Sequence, residues 1–352
     1  MHQELIETHY FQRWVAPFRA VCINQLAEQF QGSINMENIT HRILEVNGIR
    51  IHIAEKGSGP LVVLVHGFPQ LWYVFRHQIL FLAEAGYHAV ALDLRGHGQS
   101  DIPAEESDYT FLHHAGDVIG IIEALGEKQA FLVGHDWGSS VVSFVTLFRP
   151  DLVRGLVNLS VPFFPRDPHI DNLTAFRAAF GDNFYMQRWQ SSEEGEAEAD
   201  FAKHGSKTAL AKVLCSHTPE VHMSKNGKTV LESIELPHSL PPWLKDEDLQ
   251  YYADSFDKTG FTGGFNFYRN IRRNWELTAP WSNQGINTAS LFVVGDQDLI
   301  YTIRKSYFTG PAYKQAVPNL KDVVILPGVG HCLAEEAPEQ VNSHLLKFFR
   351  EN

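Results

Sequence analysis

The segment Gly134-His135-Asp136-Trp137-Gly138 constrains the fold of this chain more strongly than any other. The apolar run 131–133 precedes it, and residues 139–148 follow it with apolar side chains at helical spacing. This order predicts a strand, a sharp turn and a helix. The residue on the turn, Asp136, is then held above the end of a sheet, and the flanking glycines let the backbone pass close to its neighbours.

An aspartate is an unusual residue at such a turn. Strand-turn-helix elbows of this kind commonly follow the pattern Gly-x-Ser-x-Gly, in which the serine needs a neighbouring base to become a nucleophile. A carboxylate is already ionised at neutral pH and can attack a saturated carbon directly. Asp136 therefore shifts the predicted chemistry from acyl transfer towards displacement at carbon. The alternative is that Asp136 only caps the helix that follows it.

Length and composition indicate a globular protein with a large core. The 352 residues are 44% hydrophobic and 12% aromatic, and this length suits one large α/β domain with an insertion, or two domains. The formal charge of -12 argues against nucleic acids and anionic membranes as partners. Three scattered cysteines, Cys22, Cys215 and Cys332, are too few for a disulfide framework or a zinc site.

Strands and helices are predicted to alternate along most of the chain. Asn47-Gly48 marks a hairpin turn near the start, and wholly apolar runs such as 61–65 are typical of parallel strands covered on both faces. Helical patterns separate these runs. The sequence therefore predicts an α/β fold with a mostly parallel central sheet and helices on both faces.

The rhythm of strands and helices is interrupted once. Prolines, glycines and aromatic-rich helical stretches fill the interval 162–277, after which the rhythm resumes. We therefore predict a helical lid inserted at 162–277 into one core domain, which consists of residues 41–161 and 278–352. An acidic run at 193–200, inside the insertion, is typical of a solvated helix face.

The first 40 residues carry apolar side chains near a helical period, which predicts an N-terminal helical extension at 1–40. Acidic residues open this segment and no long uncharged apolar run follows, so a secretory signal or a membrane span is not expected. The ending Arg350-Glu351-Asn352 is not a peroxisomal address. We expect a cytoplasmic protein.

Further polar groups follow predicted strands in the second half of the core. Asp296 and Asp298 come just after the apolar run that ends at Val294, and His331 follows the next strand. Catalytic groups of open α/β sheets gather at the carboxyl ends of the strands. The order Asp136, acid, His331 is the nucleophile, acid and histidine order of α/β-hydrolases. We therefore predict a catalytic triad.

A loop with the sequence His-Gly-Phe-Pro follows an earlier apolar strand. In this architecture the loop supplies one backbone N–H to hold a developing oxyanion, and the residue after the nucleophile supplies another. We predict Phe68 and Trp137 as these donors. His66, Gly67 and Pro69 are predicted to line the substrate pocket. A simple proline-containing turn is the alternative.

Seven short stretches, spread over the core and the insertion, carry recognisable motifs. They are His66-Gly67-Phe68-Pro69, Asp93-Leu94-Arg95-Gly96-His97-Gly98, Gly134-His135-Asp136-Trp137-Gly138, Thr259-Gly260-Phe261-Thr262-Gly263-Gly264, Trp275-Glu276-Leu277-Thr278-Ala279-Pro280-Trp281, Gly295-Asp296-Gln297-Asp298 and Gly330-His331. With these motifs, the chain from about Ile43 to its end resembles the soluble epoxide hydrolases of the α/β-hydrolase fold, especially their single-domain plant type.

The resemblance implies roles for residues of the insertion. In that family the insertion is a helical lid with two tyrosines that hydrogen-bond the epoxide oxygen. The matching residues here are Tyr185, in Phe184-Tyr185-Met186-Gln187-Arg188-Trp189, and Tyr268, in Phe267-Tyr268-Arg269. The resemblance also implies that the acid of the triad is Asp298.

The implied activity is the hydrolysis of a small-molecule epoxide without a metal or an organic cofactor. Asp136 would attack an epoxide carbon to form an ester, and water activated by His331 would release a vicinal diol. No nucleic acid partner and no membrane insertion are expected, and the protein is expected to be a monomer or a homodimer. Residues 1–40 and the lid loop 212–240 depart from the family pattern, which leaves substrate size and stereochemistry open.

Two other functions are compatible with the same residues. A haloalkane or haloacid dehalogenase shares the aspartate nucleophile and a tryptophan next to it, but it needs halide-binding N–H donors in place of the two phenols. A ligand receptor on a hydrolase scaffold would keep the triad with negligible turnover.

Overall fold

The computed structural model describes residues 38–190, 195–216, 223–225 and 227–352. The predicted N-terminal extension, 1–40, therefore lies outside the described residues except for its last three positions.

An eight-stranded sheet forms the centre of the described residues. Its strands are β1 (Thr40–Val46), β2 (Ile49–Lys56), β3 (Leu61–Val65), β4 (His88–Leu92), β5 (Ala130–His135), β6 (Val153–Leu159), β7 (Ser290–Gly295) and β8 (Leu320–Leu326). The order across the sheet is β1-β2-β4-β3-β5-β6-β7-β8. β2 runs antiparallel to β1 and β4, and the remaining neighbours are parallel, which confirms the predicted sheet.

Strand burial follows the sequence patterns. Every residue of β3 and β5 is buried because these central strands are covered on both faces, whereas most of β1 is exposed at the sheet edge. Asn47 and Gly48 join β1 to β2 with φ angles of 50° and 78°. Asparagine and glycine tolerate positive φ better than other residues, so the predicted hairpin turn is confirmed.

Helices connect the strands of the first half of the core. They are α1 (Arg76–Glu84), α2 (Phe111–Ala124) and α3 (Trp137–Phe148). Short 3-10 segments lie at Trp72–Phe75, Glu106–Tyr109 and Pro150–Leu152. Thr110 caps α2 by accepting the backbone N–H of His113, and α3 starts directly at the end of β5.

The chain between β6 and β7 is helical in its described part. The helices are α4 (Asn172–Phe180), α5 (Tyr185–Trp189), α6 (Glu196–His204), α7 (Ser206–Leu214), α8 (Val230–Ser233), α9 (Asp246–Thr259), α10 (Thr262–Arg269) and α11 (Ile271–Leu277). The core resumes after a 3-10 turn, Ala279–Trp281, with α12 (Leu299–Phe308), α13 (Pro311–Ala316), α14 (Leu333–Glu336) and α15 (Pro338–Glu351).

Phe68 joins the helical segment to the sheet. This residue follows β3, and its ring packs against aromatic rings of the helical segment at centroid distances of 5.3 to 6.3 Å. The rings are those of Trp189, Phe201, Phe256, Phe261, Phe265 and Tyr268. Aromatic pairs at such distances add to the free energy gained by burying their area, so the two parts are held together above the carboxyl ends of the strands.

Two carboxylates of the acidic run 193–200 do not lie on a solvated helix face. The Asp200 side chain is buried and accepts hydrogen bonds from the Thr229 hydroxyl and the Leu231 N–H, at 2.5 and 3.0 Å. Glu198 forms a bidentate ion pair with Arg269. The sequence prediction was wrong for these two residues because periodicity does not show what packs opposite a carboxylate. None of the helices in the described ranges is long and apolar enough to cross a bilayer.

Candidate active site

Asp136 occupies the turn between β5 and α3. Its backbone has φ 53° and ψ -121°, a conformation that is rare for any residue but glycine and that lifts the side chain away from the sheet. A Cβ on Gly138 would lie 2.0 Å from the Val65 carbonyl oxygen, so only glycine lets α3 start this close to β3. The Asp136 side chain caps no helix, so the helix-cap alternative is wrong.

A backbone N–H group holds the Asp136 carboxylate. The Phe68 N–H donates to Oδ1 at 3.0 Å, and the Trp137 backbone helps to lower the pKa of this carboxyl. A Cβ on Gly67 would lie 2.3 Å from Oδ1, so the loop needs glycine to approach the carboxylate. The structure thus brings the predicted nucleophile beside the two backbone groups that the sequence predicts as donors.

His331 lies between the two aspartates of the predicted triad. Its Nε2 is 3.6 Å from Asp136 Oδ2, and its Nδ1 is 3.2 Å from Asp298 Oδ2. Asp298 is fully buried and caps α12 by accepting the Ile300 N–H at 2.9 Å. Asp296 instead faces away, where its carboxylate binds the Gln297 amide and the Gly328 N–H. Geometry therefore assigns Asp298 to the histidine.

The charges of these three groups stabilise one another. Burial by itself would raise both carboxyl pKa values, but His331 outweighs it and holds the pKa of Asp136 and the pKa of Asp298 below 3.8. Burial likewise lowers the pKa of His331, but the two carboxylates outweigh this effect and raise that pKa well above 6.5. In the resting site both aspartates are ionised and His331 is protonated.

Tyr185 and Tyr268 lie on the helical segment and line the same cavity as Asp136. Their ring centroids are 5.9 Å apart. Burial is the main cause that raises the pKa of each phenol, and the Asp136 charge adds to it, so both stay protonated. The Trp137 ring packs edge-on against the Tyr268 ring, with the centroids 5.1 Å apart, and partly offsets the rise in the pKa of this phenol.

The cavity has a volume of about 210 Å³. Most of its wall is apolar, with aromatic rings from both the core and the helical segment. The aromatic lining residues besides Trp137 and the two tyrosines are Phe111, Phe144, Phe163, Phe164, Phe176, Trp189 and Trp275. Such a wall suits a largely apolar substrate whose reacting group meets Asp136.

Two of the three predicted pocket residues do not line this cavity. Pro69 does, but His66 is fully buried behind it, where its Nε2 accepts the Leu94 N–H at 3.0 Å and its Nδ1–H donates to the Gly67 carbonyl at 2.7 Å. Burial lowers the pKa of His66 to about 3, in agreement with an accepting nitrogen. His66 and Gly67 are therefore supports of the loop, because the chain turns its backbone rather than their side chains towards the cavity.

Sequence reasoning missed two groups around His331. The Ser160 hydroxyl contacts both Asp298 and His331, and no local pattern marks it. His135, inside the elbow motif, places Nε2 2.7 Å from the His331 carbonyl and Nδ1 2.7 Å from the Gln70 amide. Burial is the main cause that lowers the pKa of His135 to about 4. The partner of Nδ1 is the amide oxygen of Gln70, and the partner of Nε2 is the carbonyl oxygen of His331. Both oxygens only accept, so the neutral ring, which has one N–H, donates to one of them.

No cluster of three or more metal-binding side chains is present among the residues that the structure describes. Besides the predicted triad and the two phenols, the described cavity wall carries amides, hydroxyls, indoles, two guanidinium groups, the Asp167 carboxylate and the Cys332 thiol.

Comparisons with known proteins agree with this site. The family model for the α/β hydrolase fold matches residues 60–338. Epoxide hydrolase 2 of Siraitia grosvenorii is 47% identical over 317 residues, which cover 90% of this chain and 99% of the relative. Epoxide hydrolase A of Mycobacterium tuberculosis is 36% identical over 88% of this chain and 97% of its own. The chain belongs to the epoxide hydrolases of the α/β-hydrolase fold.

Solved structures of plant enzymes are similar to this epoxide hydrolase. The crystal structure of an epoxide hydrolase from Vigna radiata matches with a TM-score of 0.86 and 44% identity, and covers 92% of this chain and 100% of that one. The bifunctional epoxide hydrolase 2 of Mus musculus is 32% identical, but only 56% of its length is matched. The predicted family, fold and enzyme class are confirmed.

Proposed function

We propose that this epoxide hydrolase forms a covalent ester on Asp136 and then hydrolyses it. One observation carries the proposal: the carboxylate is held by a backbone donor on one side, contacts His331 on another and shares its cavity with two protonated phenols. A nucleophile, an acid pair and a base are the groups that opening an epoxide in two steps requires.

In the first step Asp136 attacks one carbon of the epoxide ring. The Phe68 N–H holds Oδ1, so we assign the attack to Oδ2, while Oδ1 becomes the carbonyl oxygen of the ester. The C–O bond of the ring breaks, and its electron pair goes to the ring oxygen. Tyr185 and Tyr268 donate hydrogen bonds to this oxygen, which is far more basic than the oxygen of an ether. The alkoxide takes up one proton from the solvent, which balances the proton that His331 releases before the second step.

In the second step water attacks the ester carbonyl. Esterification removes the negative charge of Asp136, which is one of the two charges that raise the pKa of His331. The imidazole then releases its proton more easily, and as a neutral base it takes a proton from water. Asp298 orients the ring, and the N–H groups of Phe68 and Trp137 bind the oxyanion. Collapse breaks the bond between the ester carbonyl carbon and the diol oxygen. The second proton of the water passes to this oxygen, so the diol leaves, Asp136 is again a carboxylate and His331 is again protonated.

We further propose that residues 162–277 act as the lid over this cavity. The helical segment supplies both phenols and much of the aromatic wall, whereas the core supplies the triad. The described contacts of Phe68 support a lid that rests directly on the oxyanion loop. The dehalogenase alternative is disfavoured because two phenols share the cavity with Asp136, and one of them, Tyr268, packs against Trp137, the candidate halide donor.

The test compares leaving groups and follows an oxygen label. The purified protein is incubated with styrene oxide, an epoxidised fatty acid and an alkyl bromide, and diol and bromide are measured. We expect diols and no bromide. A single turnover in heavy-oxygen water should label the peptide that carries Asp136 and leave the diol unlabelled, because the diol oxygen comes from the carboxylate. Label in the diol after one turnover would show direct attack of water and refute the ester.

A further inference from the structure

Arg304 is a cation on the wall of the cavity, and no described residue pairs with it. It lies on α12, is only partly exposed and lines the cavity with Asp136. Its guanidinium carbon lies 5.5 Å from the ring centroid of Phe164 and 5.2 Å from that of Phe176. These rings hold the side chain in place by cation–π contact. They satisfy none of its five N–H donors.

Three other buried or partly buried arginines of the described ranges have polar partners. Arg76 pairs with Glu335, and Arg269 forms two hydrogen bonds with Glu198. Arg166, the other guanidinium of the cavity, donates to the Trp275 carbonyl and to a serine hydroxyl. For Arg304, the described residues supply no ion pair and no hydrogen bond. Burial lowers its pKa without a carboxylate to offset the cost.

Arg304 packs against Phe164 and Phe176, and the chain between these two rings carries two exposed residues of the cavity wall, Asp167 and Ile170, the latter 38% exposed. The Asp167 carboxylate accepts the His169 N–H and is not ion-paired with Arg304. Six residues of helix separate Arg304 from Asp298, which is about 9 Å along the axis. The same cavity wall therefore holds the Asp136 carboxylate and a guanidinium that has no polar partner among the described residues.

We propose that Arg304 forms a subsite for the anionic end of the substrate. The class of substrate it selects is an epoxide joined by an apolar chain to a carboxylate, with the chain against the aromatic wall and the carboxylate at Arg304. The planar guanidinium presents two parallel N–H groups that match a carboxylate. This inference rests on the proposed function for the reaction, but the binding of the anion is independent of it.

The kinetic test uses an epoxidised long-chain fatty acid and its methyl ester, which differ in charge alone. Arg304→Met keeps an apolar stem against the two rings and removes the charge. We expect kcat/KM for the acid to fall about 10-fold. This loss lies between the small free energy of an exposed ion pair and the larger free energy of a buried hydrogen bond to a charged group. The loss should lie in KM, because the anion is bound equally before and during ring opening. The ester should change less than about 2-fold, and Arg304→Lys should recover part of the loss.

The matched control is Lys305→Met, which removes an exposed charge one position further along the same helix. Equal losses on acid and ester, or the same loss in the control, would overturn the proposal. A binding measurement separates it from the reaction: calorimetry with dodecanoate and dodecanol, which carry no epoxide, should show that Arg304→Met weakens only dodecanoate. Absence of diol from every epoxide would refute the proposed function, and the calorimetry would still decide the role of Arg304.

Discussion

The Ser160 hydroxyl bridges Asp298 and His331. Its oxygen lies 2.6 Å from Asp298 Oδ2 and 3.0 Å from His331 Nδ1, closer than the 3.2 Å between the histidine and the acid themselves. Ser160 follows β6, is fully buried and has a φ of 72°. It donates its proton to the carboxylate, so its oxygen is free to accept the Nδ1–H. The serine thus shares in orienting the imidazole.

Ser160→Ala should reduce the hydrolysis of the ester about 10-fold, because loss of a hydrogen bond to a charged group costs about 1.5 kcal/mol. The pKa of Asp298 should rise, since the hydroxyl helps to keep it low. Single-turnover kinetics over a pH series measure both effects. Ser140→Ala is the control, since Ser140 lines the same cavity without a described contact to the triad. If the pH dependence of ester hydrolysis does not change in Ser160→Ala, Ser160 acts only through packing.

His331→Gln should trap the reaction after its first step. Asp136 remains able to attack, but water is no longer activated, so the ester accumulates. Mass spectrometry of the digested protein should show the adduct on the peptide that contains Asp136. The double variant with Asp136→Asn provides the control and should carry no adduct. An adduct on Cys332 or another residue would refute the proposed nucleophile.

Tyr185→Phe or Tyr268→Phe should slow formation of the ester by about 100- to 1,000-fold, the usual cost of one lost oxyanion donor. The double variant should open epoxides barely at all, and the two effects need not add because both phenols act on one oxygen. Stopped-flow tryptophan fluorescence separates this step from hydrolysis. Tyr87→Phe, at a buried position outside the cavity, should behave as wild type. Epoxide opening near the parent rate in the double variant would contradict the role of the phenols.

The rate of ester hydrolysis should rise with pH to a plateau. Hydrolysis needs neutral His331, and the neutral fraction grows as pH passes the pKa of this residue. The resting enzyme has that pKa well above 6.5, with the Asp136 charge as one cause. In the ester this charge is gone, so the kinetic midpoint should lie below the pKa of the resting enzyme. NMR titration of His331 in the free protein supplies the reference, and identical midpoints would exclude the electrostatic coupling.

Arg76→Met should destabilise the fold by about 3 to 5 kcal/mol, because it leaves the buried Glu335 carboxylate without its cation. Glu335 also accepts the Tyr252 hydroxyl of α9 at 3.2 Å, so the pair ties the lid to the core. Urea unfolding measures the loss. Adding Glu335→Gln should recover part of it, because no buried charge then remains. If the loss of unfolding free energy in the double variant equals the sum of the losses in the two single variants, the two side chains do not interact.

Local sequence patterns determined the elbow of this protein and the residues at its strand ends. The run before Asp136, the glycines around it and the helical spacing after it specify an elbow, because strand, turn and helix depend on neighbours along the chain. His331 and the Asp296/Asp298 pair were placed at strand ends by the same reasoning. The resemblance added Tyr185 and Tyr268, which periodicity does not distinguish from other tyrosines.

Tertiary structure decided whatever depends on residues far apart in the chain. It separated Asp298 from Asp296, turned the His66 side chain into the core and placed Ser160 between the acid and the histidine. It also buried Asp200, which the sequence pattern predicts to be solvated, and placed Arg304 beside the cavity with no polar partner among the described residues. The physical reason is that the charge state and hydrogen bonds of a side chain depend on the groups opposite it, and those groups come from other elements that only the folded chain brings near.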